Sequence, residues 1–134
     1  VAGRNGYMPA FGEVLSNEKI DQVANYVMTM SGLDADAEKA SAGKAIFQGD
    51  EGGCYYCHTS AGTGMYSQGA ANLTDAVWTV ANVPGAETNK EKVAVISKVI
   101  KDGIQRKMPA WSERLSETEI KLLTVYVHGL GGGQ

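Results

Sequence analysis

Apolar residues recur at the spacing of an amphipathic helix in four stretches of the chain. They predict helices over residues 17–30, 37–48, 90–102 and 117–130. Between the second and third of these, residues 59–88 are rich in glycine and polar side chains, which predicts loops. No alternating run of useful length predicts a strand. The pattern therefore indicates the all-α class.

The ends of the predicted helices carry suitable capping residues. Ser16 precedes the first helix and Asn89 the third, and both residue types favour the N-cap position. Ser116 and Glu119 have the spacing of a capping box at the start of the last helix. Gly103 follows the third helix, where glycine commonly terminates a helix. These residues support the predicted boundaries.

The first 32 residues resemble the last third of the chain at an offset of 100 positions. In both copies a Met-Pro-Ala-aromatic stretch, starting at Met8 and at Met108, precedes a helix. Apolar positions of the two helices also match, Ile20 with Ile120, Val23 with Leu123, and Tyr26-Val27 with Tyr126-Val127. Self-similarity at a fixed offset indicates duplicated units.

Composition and charge exclude several classes of function. The 134 residues carry a formal net charge of -3, and lysine and arginine are scattered among acids, so we expect no nucleic-acid partner. No apolar run reaches the roughly 18 residues that a membrane span needs, so we expect no membrane contact by this part of the protein. A domain of this size has a thin core, towards which the second helix turns Gly43 and Phe47.

The two cysteines of the chain lie in the stretch Cys54-Tyr55-Tyr56-Cys57-His58. Cys-x-x-Cys-His is the attachment motif of haem c, because two thiols at this spacing reach both vinyl groups of one porphyrin while the histidine binds the iron. A thioredoxin-like dithiol expects a preceding strand, and the residues here are glycine-rich. A zinc site needs two further ligands, and the other histidine, His128, is far along the chain.

A haem that only carries electrons needs a second axial ligand opposite His58. Met108 lies in a loop just after a predicted helix, and Pro109 keeps it out of helical dihedrals. Met65 is only seven residues beyond His58 and could reach the far face only by a wide detour. His128 is the best replacement if Met108 is lost. We therefore expect His58 and Met108 to be the iron ligands.

The first copy of the repeat has no Cys-x-x-Cys-His motif upstream of it in this chain. We interpret residues 1–32 as the C-terminal remnant of a preceding cytochrome c domain and residues 33–134 as an intact one. Met8 is then not expected to belong to a site. The apolar face of helix 17–30 is expected to pack on the intact domain or to mediate self-association with a neighbouring copy.

Several further stretches accompany the haem motif: Gly43-Lys44, Asn72-Leu73-Thr74-Asp75, Trp78, and Met108-Pro109-Ala110-Trp111. Together with the repeat, they are similar to the second haem domain of the membrane-anchored dihaem subunit (subunit III) of cbb3-type cytochrome c oxidase. The resemblance covers nearly the whole chain. It implies a class I cytochrome c fold, a small helical domain wrapped around one covalently bound haem c.

The resemblance also implies roles for individual residues. Cys54 and Cys57 would form the thioethers, and His58 and Met108 would be the axial ligands. The backbone carbonyl of Ala71 would accept the ring N–H of His58 and fix its orientation. The side chains that would pack around the macrocycle are Leu73, Trp78 and Trp111.

The chain departs from the family pattern at two places. Ala71 stands where the family commonly has proline, which keeps the carbonyl but loses rigidity. Residues 79–88 are longer than the family's short stretch at that point and unlike it. The resemblance therefore does not predict the conformation of this loop.

The function that the resemblance implies is electron transfer from a donor cytochrome to the next haem of an oxidase, with no reaction of its own. The place it implies is the periplasmic side of a bacterial inner membrane, with the full-length protein membrane-anchored and partnered by oxidase subunits. Two alternatives stay open. One is a freestanding soluble dihaem cytochrome that shuttles between complexes. The other is a haem enzyme or gas sensor whose open iron site binds exogenous ligands.

Overall fold

The computed structural model describes residues 3–132 of the chain. In chain order its elements are β1 (Arg4–Met8), α1 (Asn17–Met30), α2 (Ala37–Gln48), α3 (Tyr55–His58), α4 (Asn89–Asp102), β2 (Ile104–Met108) and α5 (Glu117–Val127). A 3-10 turn covers Tyr66–Gln68, and a π-helical turn covers His128–Gly132. The chain divides into two compact units, Gly6–Gln105, and Val1–Asn5 together with Arg106–Gln134.

The helix boundaries follow the hydrophobic pattern closely. The predicted bounds of α1 and α2 are confirmed. The N-cap of α4 is Thr88 and not Asn89, because Thr88 and Glu91 form a reciprocal capping box. The last helix begins after Ser116 as predicted but ends at Val127, where the helical turn widens.

The expectation that the chain forms no strands is wrong. β1 and β2, of five residues each, pair in a two-stranded sheet. Their partners are about a hundred positions apart in sequence. Neither strand alternates apolar and polar side chains in the way that identifies a half-buried strand. The chain is otherwise helical, and the strands are too short to change its class.

The core of the unit Gly6–Gln105 lies where α1 packs against α2 and α4. Its largest fully buried side chains are Val23, Met28 and Phe47. A Cβ added to Gly43 would lie 2.0 Å from the backbone oxygen of Gln22, so the backbones of α1 and α2 cross in direct contact. The apolar face of α1 thus packs within its own chain, one of the two outcomes expected. Because that face is buried, self-association through it is not supported.

The other unit contains α5 and the loop before it. Ser116 and Glu119 form the predicted capping box at the start of α5. The guanidinium of Arg114 lies 4.5 Å from the ring centre of Trp111, within the range of a cation–π contact. Most apolar side chains of this unit's helical part are exposed, namely Leu122, Leu123, Val125, Tyr126, Val127 and Leu130.

The compact units do not follow the predicted boundary between residues 32 and 33, because α1 packs within the unit that contains the haem motif. The division into a remnant and an intact domain therefore stays a prediction about the longer protein. Among residues 3–132, no helix is both long and apolar enough to cross a bilayer.

Candidate haem site

The Cys-x-x-Cys-His motif forms the short helix α3 and its cap. The backbone N–H of His58 donates to the carbonyl of Cys54 at 2.9 Å, which closes one helical turn. Residues four apart lie on the same face of a helix, so Cys54 and His58 face the same side. Both are half-buried, whereas Cys57 is exposed, and both cysteines are free thiols.

This side of α3 faces a largely apolar pocket that is partly open to solvent. Five of the predicted site residues line it: Cys54, His58, Ala71, Leu73 and Trp78. Apolar side chains of α1, α2 and α4 complete the wall, including Val23, Val27, Phe47, Ile96, Val99 and Ile100. An apolar pocket lined by the first cysteine and the histidine of a haem c motif fits a covalently attached porphyrin.

The imidazole of His58 is held by one hydrogen bond. Its Nδ1 lies 2.9 Å from the carbonyl oxygen of Ala71, and because a carbonyl only accepts, Nδ1 carries the proton. Burial lowers the pKa of His58, and the hydrogen bond to Ala71 opposes that shift only in part. The ring is therefore neutral at pH 7, with a free lone pair on Nε2. A neutral imidazole oriented through its other nitrogen is what an iron ligand requires.

The loop after α3 holds Ala71 in place. The backbone N–H of Gly64 donates to the carbonyl of His58 at 2.9 Å. Gly64 has φ +76°, and a Cβ there would lie 2.6 Å from the oxygen of Ala71. The carbonyl of Leu73 accepts from the hydroxyl of Ser31 at 2.8 Å, which ties the loop to the end of α1. Close backbone approach at Gly64 thus positions the group that orients His58.

The environment of Cys54 bears on the alternatives for the motif. Burial raises the pKa of the Cys54 thiol to about 11. Redox-active dithiols depend on a thiolate whose pKa is lowered to about 3.5–7.5, and Cys54 lacks that property. Within the described part of the chain, no three His, Cys, Asp or Glu side chains converge on a metal-ion site. The surroundings therefore favour haem attachment over a redox dithiol or a zinc site.

Three predicted site residues are not among those lining the pocket. Cys57 is exposed. Met108 and Trp111 belong to the unit that contains α5, and 62% of Met108 is exposed. His128 is exposed in the same unit.

Met8, which the sequence interpretation left out, lines the pocket together with Cys54 and His58. The signal that could have identified it is the repeat. Met8 and Met108 occupy equivalent positions of two similar segments, and either is suited to the same place.

The loop whose conformation was not predicted also contributes to the pocket. Thr79, Val80 and Ala81 line it. Ala81 and Val83 are buried, and the N–H of Val83 donates to the carbonyl of Ala81 at 2.8 Å in a tight turn. The residues that depart from the family pattern therefore form part of the wall beside Trp78.

Comparison with known proteins agrees with this site. The family model described as "Cytochrome C oxidase, cbb3-type, subunit III" matches residues 38–127, more than half of the chain. A cbb3-type cytochrome c oxidase subunit FixP of Azorhizobium caulinodans is 43% identical over 133 residues, covering 98% of this chain and 41% of that protein.

Two further relatives give the same result. A subunit CcoP of Cereibacter sphaeroides is 39% identical over 133 residues, covering 98% of this chain and 42% of that protein. A subunit FixP of Bradyrhizobium diazoefficiens is 39% identical over 132 residues, covering 96% of this chain and 41% of that protein. The chain thus spans about two fifths of the length of these relatives.

The helical fold, the haem c motif and the apolar pocket beside it define the class of this protein as a c-type cytochrome, and they fit a class I cytochrome c fold. Within that class, the chain belongs to the family of subunit III of cbb3-type cytochrome c oxidase.

Proposed function

We propose that this chain is an electron-transfer domain that carries one haem c, attached through Cys54 and Cys57 and bound at iron by His58. The observation that carries the proposal is the alignment of Cys54 and His58 on one apolar pocket, with His58 oriented by Ala71. The haem supplies reversible one-electron exchange at its iron. The chain supplies the ligands, the orientation of the imidazole and the exclusion of water by the apolar wall.

In the full-length protein, we propose Met108 as the second axial ligand and Trp111 as a neighbour of the macrocycle. The repeat supports this, because it gives each haem domain its own Met-Pro-Ala loop and following helix. Residues 1–32 then complete the preceding cytochrome c domain, and residues 33–134 form the following one. Two axial ligands leave no open position on iron, so the domain acts as a carrier and not as an enzyme.

The partners proposed are a donor cytochrome and the subunits of a cbb3-type oxidase, on the periplasmic side of a bacterial inner membrane, with the full-length protein membrane-anchored. The support comes from the relatives, whose names place them in that oxidase. A net charge of -3 is compatible with steering towards a partner that presents basic side chains.

Visible spectroscopy of the chain, matured in a host that attaches haem c, tests this proposal. We expect one acid-stable haem per chain, a low-spin spectrum in both oxidation states, and no spectral change when carbon monoxide is added to the ferrous form. Ready binding of carbon monoxide would support an open-site enzyme or sensor instead. A colourless product would overturn the assignment of the cofactor.

Replacing Gly64 by alanine is expected to raise the reduction potential and to destabilise the chain by about 2 kcal/mol. Alanine at φ +76° is strained, and its Cβ meets the oxygens of Ala70 and Ala71. Displacing the Ala71 carbonyl weakens the hydrogen bond that makes His58 a stronger electron donor to iron, which destabilises the ferric state. Redox titration and thermal unfolding measure the two effects.

Gly32→Ala is the matched control for this change. Gly32 has φ +74°, but a Cβ there meets no atom within 4 Å. Gly32→Ala therefore introduces the same backbone strain, of about 1–2 kcal/mol, while its Cβ contacts no part of the loop that holds Ala71. Equal potentials in Gly64→Ala and wild type would contradict a positioning role for Gly64.

A further inference from the structure

The polar side chains of the pocket wall are concentrated in the loop between α3 and α4. Asn72, Asp75 and Thr79 line the pocket from this loop, whereas the lining residues of α1, α2 and α4 are all apolar. Among the described residues that line the pocket, Asp75 is the one with a charged side chain, since the ring of His58 is neutral. The wall therefore carries one formal negative charge, and that charge lies on the loop side.

The carboxylate of Asp75 is fixed by a local turn. Its Oδ1 accepts from the backbone N–H of Val77 at 3.0 Å, and both residues line the pocket. Asp75 is itself half-buried. An aspartate that binds the backbone two residues further on forms an Asx turn, which holds the side chain close to the loop. The negative charge is thus held at the pocket wall and does not move freely on a surface side chain.

The loop that carries Asp75 is fixed by hydrogen bonds on its N-terminal side. The side-chain oxygen of Asn72 accepts from the backbone N–H and from the hydroxyl of Thr74, at 2.9 and 2.7 Å. The N–H of Leu73 donates to the carbonyl of Gly62 at 2.7 Å. These bonds fix the backbone from which the Asp75 turn starts, so the position of the carboxylate follows from the fold of the loop.

A fixed negative charge beside a haem changes the reduction potential of that haem. Ferric iron in the porphyrin dianion has one net positive charge, and the reduced pair is neutral, so a nearby anion stabilises the oxidised form. An apolar wall acts in the opposite direction, because burial disfavours the form that is charged. In this pocket the loop and the helices therefore have opposing effects on the potential.

We infer that Asp75 sets the reduction potential of the haem pocket: its carboxylate stabilises the oxidised haem and lowers the potential at which the domain exchanges its electron. The inference rests on the proposed function, since it requires a haem attached at this pocket. Asp75 does not bind iron, so its effect is separate from that of the axial ligands. The loop before Trp78 then acts through its charge as well as through its shape.

Asp75→Asn in the haem-loaded chain of 134 residues tests the inference. The amide oxygen can still accept from the N–H of Val77, so the turn is kept and only the charge is removed. Redox titration is expected to show a higher potential, with the ratio of reduced to oxidised haem at a fixed applied potential raised at least about twofold. The visible spectrum is expected to stay unchanged, because the iron ligands are the same.

Asp34→Asn is the matched control for the loss of one negative charge. Asp34 is exposed and is not among the residues that line the pocket. We expect a smaller shift in potential, which disappears at about 1 M salt, where exposed charges are screened beyond about 3 Å. The shift in Asp75→Asn is expected to persist at that salt concentration, because partly buried charges are screened much less.

A second pair of variants separates charge from packing. Asp75→Glu and Asp75→Gln both lengthen the side chain by one methylene, and they differ from each other in charge. The glutamate variant is expected to have the lower potential of the two. This comparison remains informative if Asp75→Asn folds poorly, and thermal unfolding of each variant shows whether the loop is disturbed.

The outcomes separate the inference from the proposed function. Equal potentials in Asp75→Asn and wild type, or in the glutamate and glutamine variants, overturn the inference while the haem assignment stands. A shift in Asp34→Asn that is as large and as resistant to salt as that in Asp75→Asn has the same meaning, since net charge alone would explain it. A wild-type chain without bound haem overturns the proposed function and the inference with it.

Discussion

A chain in which Cys54 and Cys57 are both replaced by alanine is expected to lose all haem when it is denatured in acid and extracted with organic solvent. In the wild type, two thioethers keep the haem on the denatured polypeptide, whereas an axial ligand alone releases it. We further expect the variant to unfold at a much lower temperature. The apolar pocket is then filled by a cofactor that is lost as the chain opens.

Replacing one cysteine at a time separates the contributions of the two thioethers. Cys54 is half-buried beside the pocket, and Cys57 is exposed, so each is expected to keep a single thioether when the other is removed. Mass spectrometry of the denatured chain counts the haem that remains attached. Tyr56→Phe is the matched control, because it changes an exposed side chain inside the same motif and leaves the cysteines and His58 intact. Acid-stable haem in the double variant would contradict attachment at these positions.

The chemistry of this site was accessible from sequence because it depends on short-range spacing. Two thiols and an imidazole within five consecutive residues must lie close together, and in the structure α3 brings Cys54 and His58 to one side. The contact between His58 and Ala71 lies 13 residues apart and could be inferred only from resemblance. The part of the wall formed by Thr79, Val80 and Ala81 could not be predicted, since the chain departs from the family pattern at these residues.

Hydrophobic periodicity does not predict that Met8, and not Met108, lines the pocket. Both segments have a methionine loop and an amphipathic helix, so the hydrophobic pattern predicts both helices equally well. The helix that packs on α2 is α1, through specific contacts such as the side-chain oxygen of buried Asn25, which accepts from the N–H of Asp36. The pairing of β1 with β2 is missed for a similar reason, because it joins residues about a hundred positions apart. Local signals predict elements, and tertiary contacts decide which elements meet.

Replacing Gly43 by alanine is expected to destabilise the chain by about 3 kcal/mol or more. Gly43 lies inside α2, where helix propensity alone favours alanine by about 1 kcal/mol. An added Cβ would, however, lie 2.0 Å from the oxygen and 2.4 Å from the carbonyl carbon of Gln22. These are backbone atoms that cannot rotate away, so α1 must move outward and uncover Val23 and Phe47. Crowding therefore outweighs propensity and decides the sign.

Urea unfolding of the haem-loaded protein measures this change, with Gly129→Ala as the matched control. A Cβ at Gly129 meets no atom within 4 Å, so the unfolding free energy is expected to stay within about 0.5 kcal/mol of wild type. If Gly43→Ala stabilises the chain instead, only helix propensity is acting. Such a result would mean that α1 does not cross α2 in close contact at Gly43. Because α1 forms one wall of the pocket, that outcome would also contradict the packing of α1 against α2 that shapes this wall.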